Sequence, residues 1–418
     1  MQILFLTLMK IYSPSDEGIY MDLMKCFAEK GHKVSIISPL EKKEAGEEEV
    51  ISAPNITLVR CRTGNLFGVG MLEKGISQMR LASQYLKAVY KYFPGTKFDL
   101  ILYSTPPISL AAVVERVKRS TGAATYLLLK DIFPQNAVDI GILKPFMAKA
   151  LFRSKEKKLY EISDYIGCMS PANVDYLLKN NEIDSNKVEV CPNSIKVEAD
   201  ISVALSADGI AKTREADREE LFAKYGIPVD KTIFLYGGNL GKPQDIPFII
   251  ECIKKASTVE EAYFVVCGDG TEYGKLLAFV SEYKPNNLTL IKFLPKADYD
   301  RLVRVSDVGM IFLDHRFTIP NFPSRLLSYL KEGIPVLACT DENTDIGRIA
   351  VDNDFGLSSI SDNVEDFISN VSKLTDKELR LRMGENGYRY LLENYAVERS
   401  YEIIMRHFKL HKYKKHIC

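Results

Sequence analysis

Short apolar runs alternate with helix-patterned stretches along most of this chain, and the alternation stops once, near the middle, before starting again. The first series of runs is Ile3–Leu8, Val34–Ser38, Ile56–Cys61, Leu100–Tyr103, Thr125–Leu129, Tyr165–Met169 and Val188–Cys191. The second is Thr232–Tyr236, Tyr263–Cys267, Leu288–Phe293, Val308–Leu313 and Pro335–Cys339. Runs this short and this apolar suit strands buried on both faces, and helices between them supply the cover, so the pattern predicts parallel sheets in α/β units. The stretch Ile19–Lys30 reads as one such helix, closed by Gly31. Residues 198–231 break the rhythm: they are polar and charged, with helical spacing only around Arg214–Tyr225. A chain of 418 residues exceeds one ordinary core. Two domains are therefore expected, 1–197 and 198–397, with the boundary just after Pro192-Asn193-Ser194. The helical tail Glu398–Tyr413 is too short to fold alone and must pack on one of them.

The eight cysteines form no CxxC pair and have no histidine at metal spacing, and Cys168, Cys267 and Cys339 sit in apolar runs. They read as buried free thiols of a reducing compartment, and no zinc site is expected. The opening MQILFLTLMK lacks a basic leader and a small-residue cleavage site, so it reads as a core strand rather than a signal peptide. No run approaches the roughly 18 apolar residues that would span a membrane. The net charge is zero but unevenly shared: 26 basic and 21 acidic residues in 1–197, with 6 and 2 more in 398–418, leave those segments at +9 and the rest at −9. Such asymmetry suits a surface facing something anionic, or chance segregation of solvated charge.

In open parallel sheets, ligands bind beyond the carboxyl ends of strands. Two loops of the second domain stand out there. In Tyr236-Gly237-Gly238-Asn239-Leu240-Gly241-Lys242, paired glycines let backbone amides approach a phosphate and Lys242 adds a mobile charge. The spacing is neither a Walker A loop nor GxGxxG, and a plain strand-to-helix turn explains it too. In Asn321-Phe322-Pro323-Ser324-Arg325, ahead of Leu326, Leu327 and Leu330, Ser324 is a plausible N-cap, Gly333 can close the helix, and Arg325 adds a forked donor at a helix start. That is a diphosphate site in outline, or an ordinary capped helix. The side chains of Lys242 and Arg325 are expected at the surface. The five histidines carry little, although His315 follows a strand. Nothing is read as a Ser-His-Asp triad or an Asp-x-Asp metal clamp.

Cys267-Gly268-Asp269-Gly270, Phe293-Leu294-Pro295 and Ser306-Asp307-Val308 complete an ordered series with these loops. In the first domain, Pro14 to Gly18, Gly31-His32-Lys33-Val34, Ser170-Pro171-Ala172 and Pro192-Asn193-Ser194 extend it. The whole chain resembles the family-four retaining glycosyltransferases of the GT-B fold, of the type found in bacterial surface-polysaccharide synthesis. The resemblance implies two Rossmann-like lobes flanking a cleft, with the tail crossing back to the first. It implies a donor site of Gly238, Asn239, Lys242, Asp269, Leu294, Ser324, Arg325 and Ser328, and an acceptor-side loop of Pro14, Ser15 and Gly18. Lys130-Asp131-Ile132-Phe133-Pro134 resembles a segment that often reads His-Asp-Leu-Trp-Pro, which makes Lys130 and Asp131 the catalytic candidates. Helix capping is an equal reading of Asp131.

The chain departs from the pattern in places. Asn239 stands where relatives carry an arginine, and Pro320 and Ser328 stand where they carry two glutamates. The implied reaction is metal-independent transfer, with retention, from a nucleotide-diphosphate sugar, a UDP-sugar first and a GDP-sugar second. The implied acceptor is a saccharide or a polyprenyl-linked sugar, reached from the cytoplasm with peripheral contact on an anionic inner membrane face; no nucleic acid partner is expected. The stretches 144–158 and Lys74–Phe93, basic and interleaved with aromatic or apolar residues, are the candidates for that contact. The missing glutamates leave a catalytically impaired scaffold or partner subunit as the main alternative, and a sugar-nucleotide epimerase as a lesser one.

Overall fold

The computed structural model describes residues 1–143, 146–197 and 209–414. The chain divides into two compact units, Met1–Lys196 together with Ala396–Cys418, and Val197–Tyr395.

The first unit is built on eight strands: β1 (Gln2–Leu6), β2 (Lys33–Glu41), β3 (Glu49–Ala53), β4 (Ile56–Thr63), β5 (Leu100–Ser104), β6 (Ala124–Leu129), β7 (Tyr165–Cys168) and β8 (Val188–Val190). Their order is β3-β4-β2-β1-β5-β6-β7-β8. All neighbours run parallel except β3, which turns back antiparallel on β4. Alternate residues of one strand serve different cores, as parallel strands covered on both faces require. Ile3 and Phe5 of β1 pack with Met24, Phe27 and Tyr126, whereas Leu4 and Leu6 pack with Leu81, Tyr85 and Val113. The edge strand β3 escapes sequence reading because it is half exposed and follows an acidic run.

The tail folds as the helix Val397–Lys414 and belongs to this first unit. The Val397 amide donates to the Ile195 carbonyl at 3.0 Å, and the Ser400 hydroxyl to that of Pro192. Ile404 and Met405 are buried with Phe27, and the Tyr401 ring lies 5.0 Å from the Phe27 ring. Farther along, His407 stacks on Tyr165 at 3.8 Å and bonds to Glu189, which also receives Arg406 and the buried Tyr126 hydroxyl.

The second unit holds six strands: β9 (Thr232–Gly237), β10 (Ala262–Cys267), β11 (Leu288–Ile291), β12 (Val308–Phe312), β13 (Val336–Thr340) and β14 (Gly356–Ile360). Their order is β11-β10-β9-β12-β13-β14, and every pairing is parallel. From β9 the chain moves outward one way to β10 and β11; it then crosses to β12 and continues the other way. The loops after β9 and β12 therefore leave the sheet in opposite directions, which opens a switch point at its carboxyl edge. The helix Gly209–Tyr225 precedes β9 and is pinned by Arg218, whose guanidinium donates to the carbonyls of Val305 and Lys231. Residues 198–208, the start of the stretch that breaks the apolar rhythm, lie outside the described residues.

Seven cysteines are buried free thiols. Among the described residues, no helix is long and apolar enough to cross a membrane.

Candidate functional site

At the switch point of the second unit, two glycine-bearing loops lie on one another. The Gly238 amide donates to the Cys267 carbonyl and the Leu240 amide to that of Asp269, both at 2.9 Å. A β-carbon on Gly268 would stand 1.8 Å from the Gly238 oxygen, and one on Gly270 would stand 2.4 Å from the Leu240 oxygen. The Gly241 amide is taken by the Gln244 side chain at 3.1 Å. Sequence reading gave these amides to a phosphate; in the structure, three of them are used to hold the two loops in shape. Gly238 itself, at φ +127°, adopts a backbone that only glycine holds without strain.

Arg325 is the charge brought to this turn. Its guanidinium carbon lies 4.3 Å from the centre of the Tyr236 ring, and a β-carbon on Gly238 would lie 3.4 Å from its Nη2. Arg325 is half-buried. Its Nη1 is buried and has no hydrogen-bond partner among the described residues. Burial pushes the phenols of Tyr236 and Tyr299 upward, the latter to about 12, so both stay neutral and Arg325 gains no counter-charge from them. Tyr329, one turn along from Arg325, donates its hydroxyl toward the Leu235 and Met310 carbonyls. None of the three tyrosines was singled out from sequence. The one legible trace is glycine placement, since a β-carbon at Gly237 or Gly309 would collide with the Tyr299 or Tyr329 ring.

The other donor-side candidates are less tightly joined. The Asn239 amide group donates to Gln244, and the Asn239 carbonyl accepts from the Tyr236 hydroxyl at 2.8 Å. Lys242 is exposed, at the start of a single tight turn, Lys242–Gln244, that precedes the helix Ile246–Lys255. Asp269 is exposed and caps its own loop through the Gly270 amide. Leu294 is buried, whereas Phe293 beside it is 77% exposed. Ser324 precedes the helix Arg325–Lys331 with helical backbone and no side-chain bond to the helix end, so the expected N-cap bond is not formed. Ser328 is half-buried and Pro320 buried. No hydrogen bond or ion pair joins Lys242, Leu294 or Ser328 to Arg325 among the described residues.

His315, Asp314 and Asp245 form the single cluster with metal-ligand spacing among the described residues. Asp314 is taken by Arg316 through its backbone amide, Nε and Nη2, and Asp245 accepts the Phe248 amide. The chain does contain Asp-x-Asp triplets, contrary to the sequence reading, at Asp298–Asp300 and Asp352–Asp354. Asp300 pairs with Lys296, Asp298 with Lys224, and Asp354 with Arg382.

In the first unit, Lys130 and Asp131 follow β6. The Lys130 amide donates to the Thr105 hydroxyl, and its ammonium donates to the Cys191 carbonyl at 3.3 Å. With one carbonyl for a partner, burial brings Lys130 down to about 8. Asp131 is not a helix cap, since the next helix, Gln135–Asp139, begins after Pro134. Desolvation pushes its carboxyl up to about 6, although the residue remains open to solvent, which limits the rise. The loop Pro14–Gly18, which the resemblance assigns to the acceptor side, is self-braced. Asp16 accepts the Tyr12 and Ser13 amides, Ser15 shares a hydroxyl contact of 2.7 Å with Ser13, and the Gly18 amide donates to Asp22. Pro14 is buried at its centre.

A lysine lowered in the fold binds fewer protons than the unfolded chain between about 8 and its ordinary 10.5, so stability rises with pH across that window. Lys130→Met is therefore expected to raise the thermal midpoint at pH 7 and to flatten that rise. Melts at pH 7 and pH 10 check it; an unchanged midpoint at pH 7 would refute a desolvated ammonium.

Residues 19–199 match the family model described as Glycosyltransferase Family 4, and residues 217–390 match that of Glycosyl transferases group 1. The Probable glycosyltransferase WbjE of Pseudomonas aeruginosa is 23% identical over 324 residues, 77% of this chain and 76% of the relative. WcaI of Escherichia coli (strain K12), named as a colanic acid biosynthesis glycosyl transferase, is 21% identical over 63% of each chain. Among solved structures, sucrose-phosphate synthase from Thermosynechococcus elongatus superposes with a TM-score of 0.72 at 16% identity, covering 99% of this chain and all of the other. Anabaena HepE in complex with UDP-glucose gives a TM-score of 0.68 at 13% identity, covering 98% and 99% of the two chains.

Proposed function

We propose, for a chain that belongs to the glycosyltransferases of GT-B fold with a Family 4 half followed by a group 1 half, that it moves a sugar from a nucleoside-diphosphate donor to a saccharide or lipid-linked acceptor, with retention. The observation that carries the donor assignment is Arg325. A guanidinium stacked on Tyr236 beneath the Gly237-Gly238 turn, with a buried and unpartnered Nη1, needs an anion. A diphosphate against that turn supplies one. In this reading, the donor site is made by Gly238, Asn239, Lys242, Asp269, Leu294, Ser324, Arg325 and Ser328. As the bond between the anomeric carbon and the diphosphate oxygen breaks, Arg325 and Lys242 stabilise the departing charge, and no metal is invoked. Lys130 and Asp131 act at the sugar, with Asp131 as base or orienter; Pro14, Ser15 and Gly18 shape the acceptor side. A UDP-sugar is the first donor to try, since HepE was solved with UDP-glucose. Cell-surface polysaccharide is the class of product, as the naming of WcaI suggests, and the enzyme works in the cytoplasm at an anionic membrane face.

The second reading is a partner subunit without activity, and it has one observation in its favour: neither Pro320 nor Ser328 can supply the carboxylate that relatives place there. Calorimetric titration of UDP and GDP separates the two, followed by incubation with a panel of nucleotide sugars and acceptors. One nucleotide should bind and should raise the melting temperature by mass action. If neither binds, the partner-subunit reading replaces the enzyme.

A further inference from the structure

The long helix Met71–Tyr92 follows β4 and packs on it through Leu81, Tyr85, Ala88 and Val89, all buried. Its first turns present something different. Leu72 is 86% exposed, Ile76 49% and Met79 72%, and the spacing of four and three residues sets them in one stripe. Phe67, 46% exposed, stands in the loop just before. One exposed apolar residue is ordinary; four within the thirteen positions 67–79, all facing water, mark a docking surface. Flanking the stripe, Arg80 and Lys87 are exposed and form no ion pair among the described residues. The acid on this face, Glu73, is held by Asn65 at 2.7 Å.

The loop that carries Phe67 is anchored. Glu41, fully buried at the end of β2, accepts the Leu66 and Phe67 amides and pairs with Lys10 at 2.5 Å. Lys43 donates to the Phe67 carbonyl, and Lys10 also lies 5.9 Å from the Phe67 ring. Loop and helix start leave the carboxyl end of β4, the same sheet edge from which Pro14–Gly18 and Lys130-Asp131 emerge.

We propose that Phe67, Leu72, Ile76 and Met79, flanked by Arg80 and Lys87, are the surface by which this protein rests on an anionic lipid bilayer. An apolar crest with a basic flank complements acyl chains beneath anionic headgroups. This placement refines the two stretches that sequence alone suggested. In 144–158, Leu151 is 57% exposed, but Phe152 is turned inward against Phe133, and the side chains of Phe146 and Met147 lie outside the described residues. In Lys74–Phe93, Tyr85 is buried and Phe93 packs on the core, so the lipid-facing groups are aliphatic ones earlier in the helix. The surface rests on the proposed reading for its purpose, bringing the acceptor-side edge to a lipid-linked acceptor, but not for its test.

The full-length chain is sedimented with vesicles of phosphatidylcholine alone and with phosphatidylglycerol added. Wild type should pellet with the anionic vesicles only. Leu72→Ser with Met79→Ser should weaken partition about tenfold or more, and Arg80→Gln with Lys87→Gln should weaken it about fivefold per charge removed. Thermal melts of the same variants report their folding, and Phe67→Ser is a separate single change on the loop that should weaken partition in the same direction. Equal pelleting with both vesicle types overturns the proposal. So do apolar variants that pellet like wild type, or concentration-dependent self-association that the variants abolish, which would give the face to a second copy. Patch-dependent pelleting without nucleotide binding would leave the surface standing and remove the enzyme.

Discussion

Arg325→Ala is expected to weaken nucleoside-diphosphate binding roughly 10- to 150-fold. A hydrogen bond to a charged group contributes about 1.5–3 kcal/mol, and about 1.4 kcal/mol is tenfold in affinity. The effect on folding should be small because two terms oppose each other. The substitution removes a cation from the face of Tyr236, about 0.5–2 kcal/mol, and it also removes a buried donor that the free protein leaves unpaired. The distinguishing observation is thus a difference: nucleotide should raise the melting temperature of wild type and leave that of the variant nearly unmoved. Arg325→Lys should fall between, keeping charge but losing the fork. A variant that binds as tightly as wild type would detach the diphosphate from Arg325 while leaving the enzyme class intact.

Gly268→Ala should have the largest structural effect. Its new β-carbon would enter the Gly238 carbonyl, at 1.8 Å from the oxygen and 2.9 Å from the carbon. Backbone cannot give way as a flexible side chain does, so the two loops must part and the bond from the Gly238 amide to Cys267 must break. Overpacking of this kind costs about 2–4 kcal/mol, read as a lower urea midpoint at unchanged slope, with nucleotide affinity falling alongside. Gly274→Ala is the control: it lies in the helix Tyr273–Tyr283 with open space around its added carbon, and should be neutral or slightly stabilising. Equal midpoints for the two variants would mean that the loops are not stacked as described.

What sequence could show follows from which physical signals are local. The buried strands were legible because a strand covered on both faces must be apolar throughout, and Phe234 or Val265 announces that from one residue to the next. β3 and β14 were not, since an edge strand with Glu49 and Val50 facing water, or Gly-Leu-Ser-Ser-Ile, lacks that continuous run. Helix closure at Gly31, φ +83°, was legible for a local steric reason. The surroundings of Arg325 were not. Tyr236 reaches it from a strand 89 positions earlier, and no periodicity within either segment reports the meeting. The glycines of the turns were visible, but whether their amides face a ligand or another loop depends on a partner segment distant in sequence. Exposure is equally non-local: Leu72 and Leu81 look alike in the string, and only the fold says which one faces water.

Because the first unit closes with the helix Val397–Lys414, it is not complete when its own first 196 residues have been made. The surfaces of Phe27, Tyr126 and Tyr165 that this helix covers stay bare while the whole of Val197–Tyr395 is synthesised. At about 5–20 residues per second, that interval is on the order of 10–40 s. During it, the nascent chain displays an apolar face, and Glu189 lacks its Arg406 and His407 partners. The first unit is thus sealed only after the whole of the second has been made, and a chain truncated before Val397 would carry a first unit left open to chaperones and proteases.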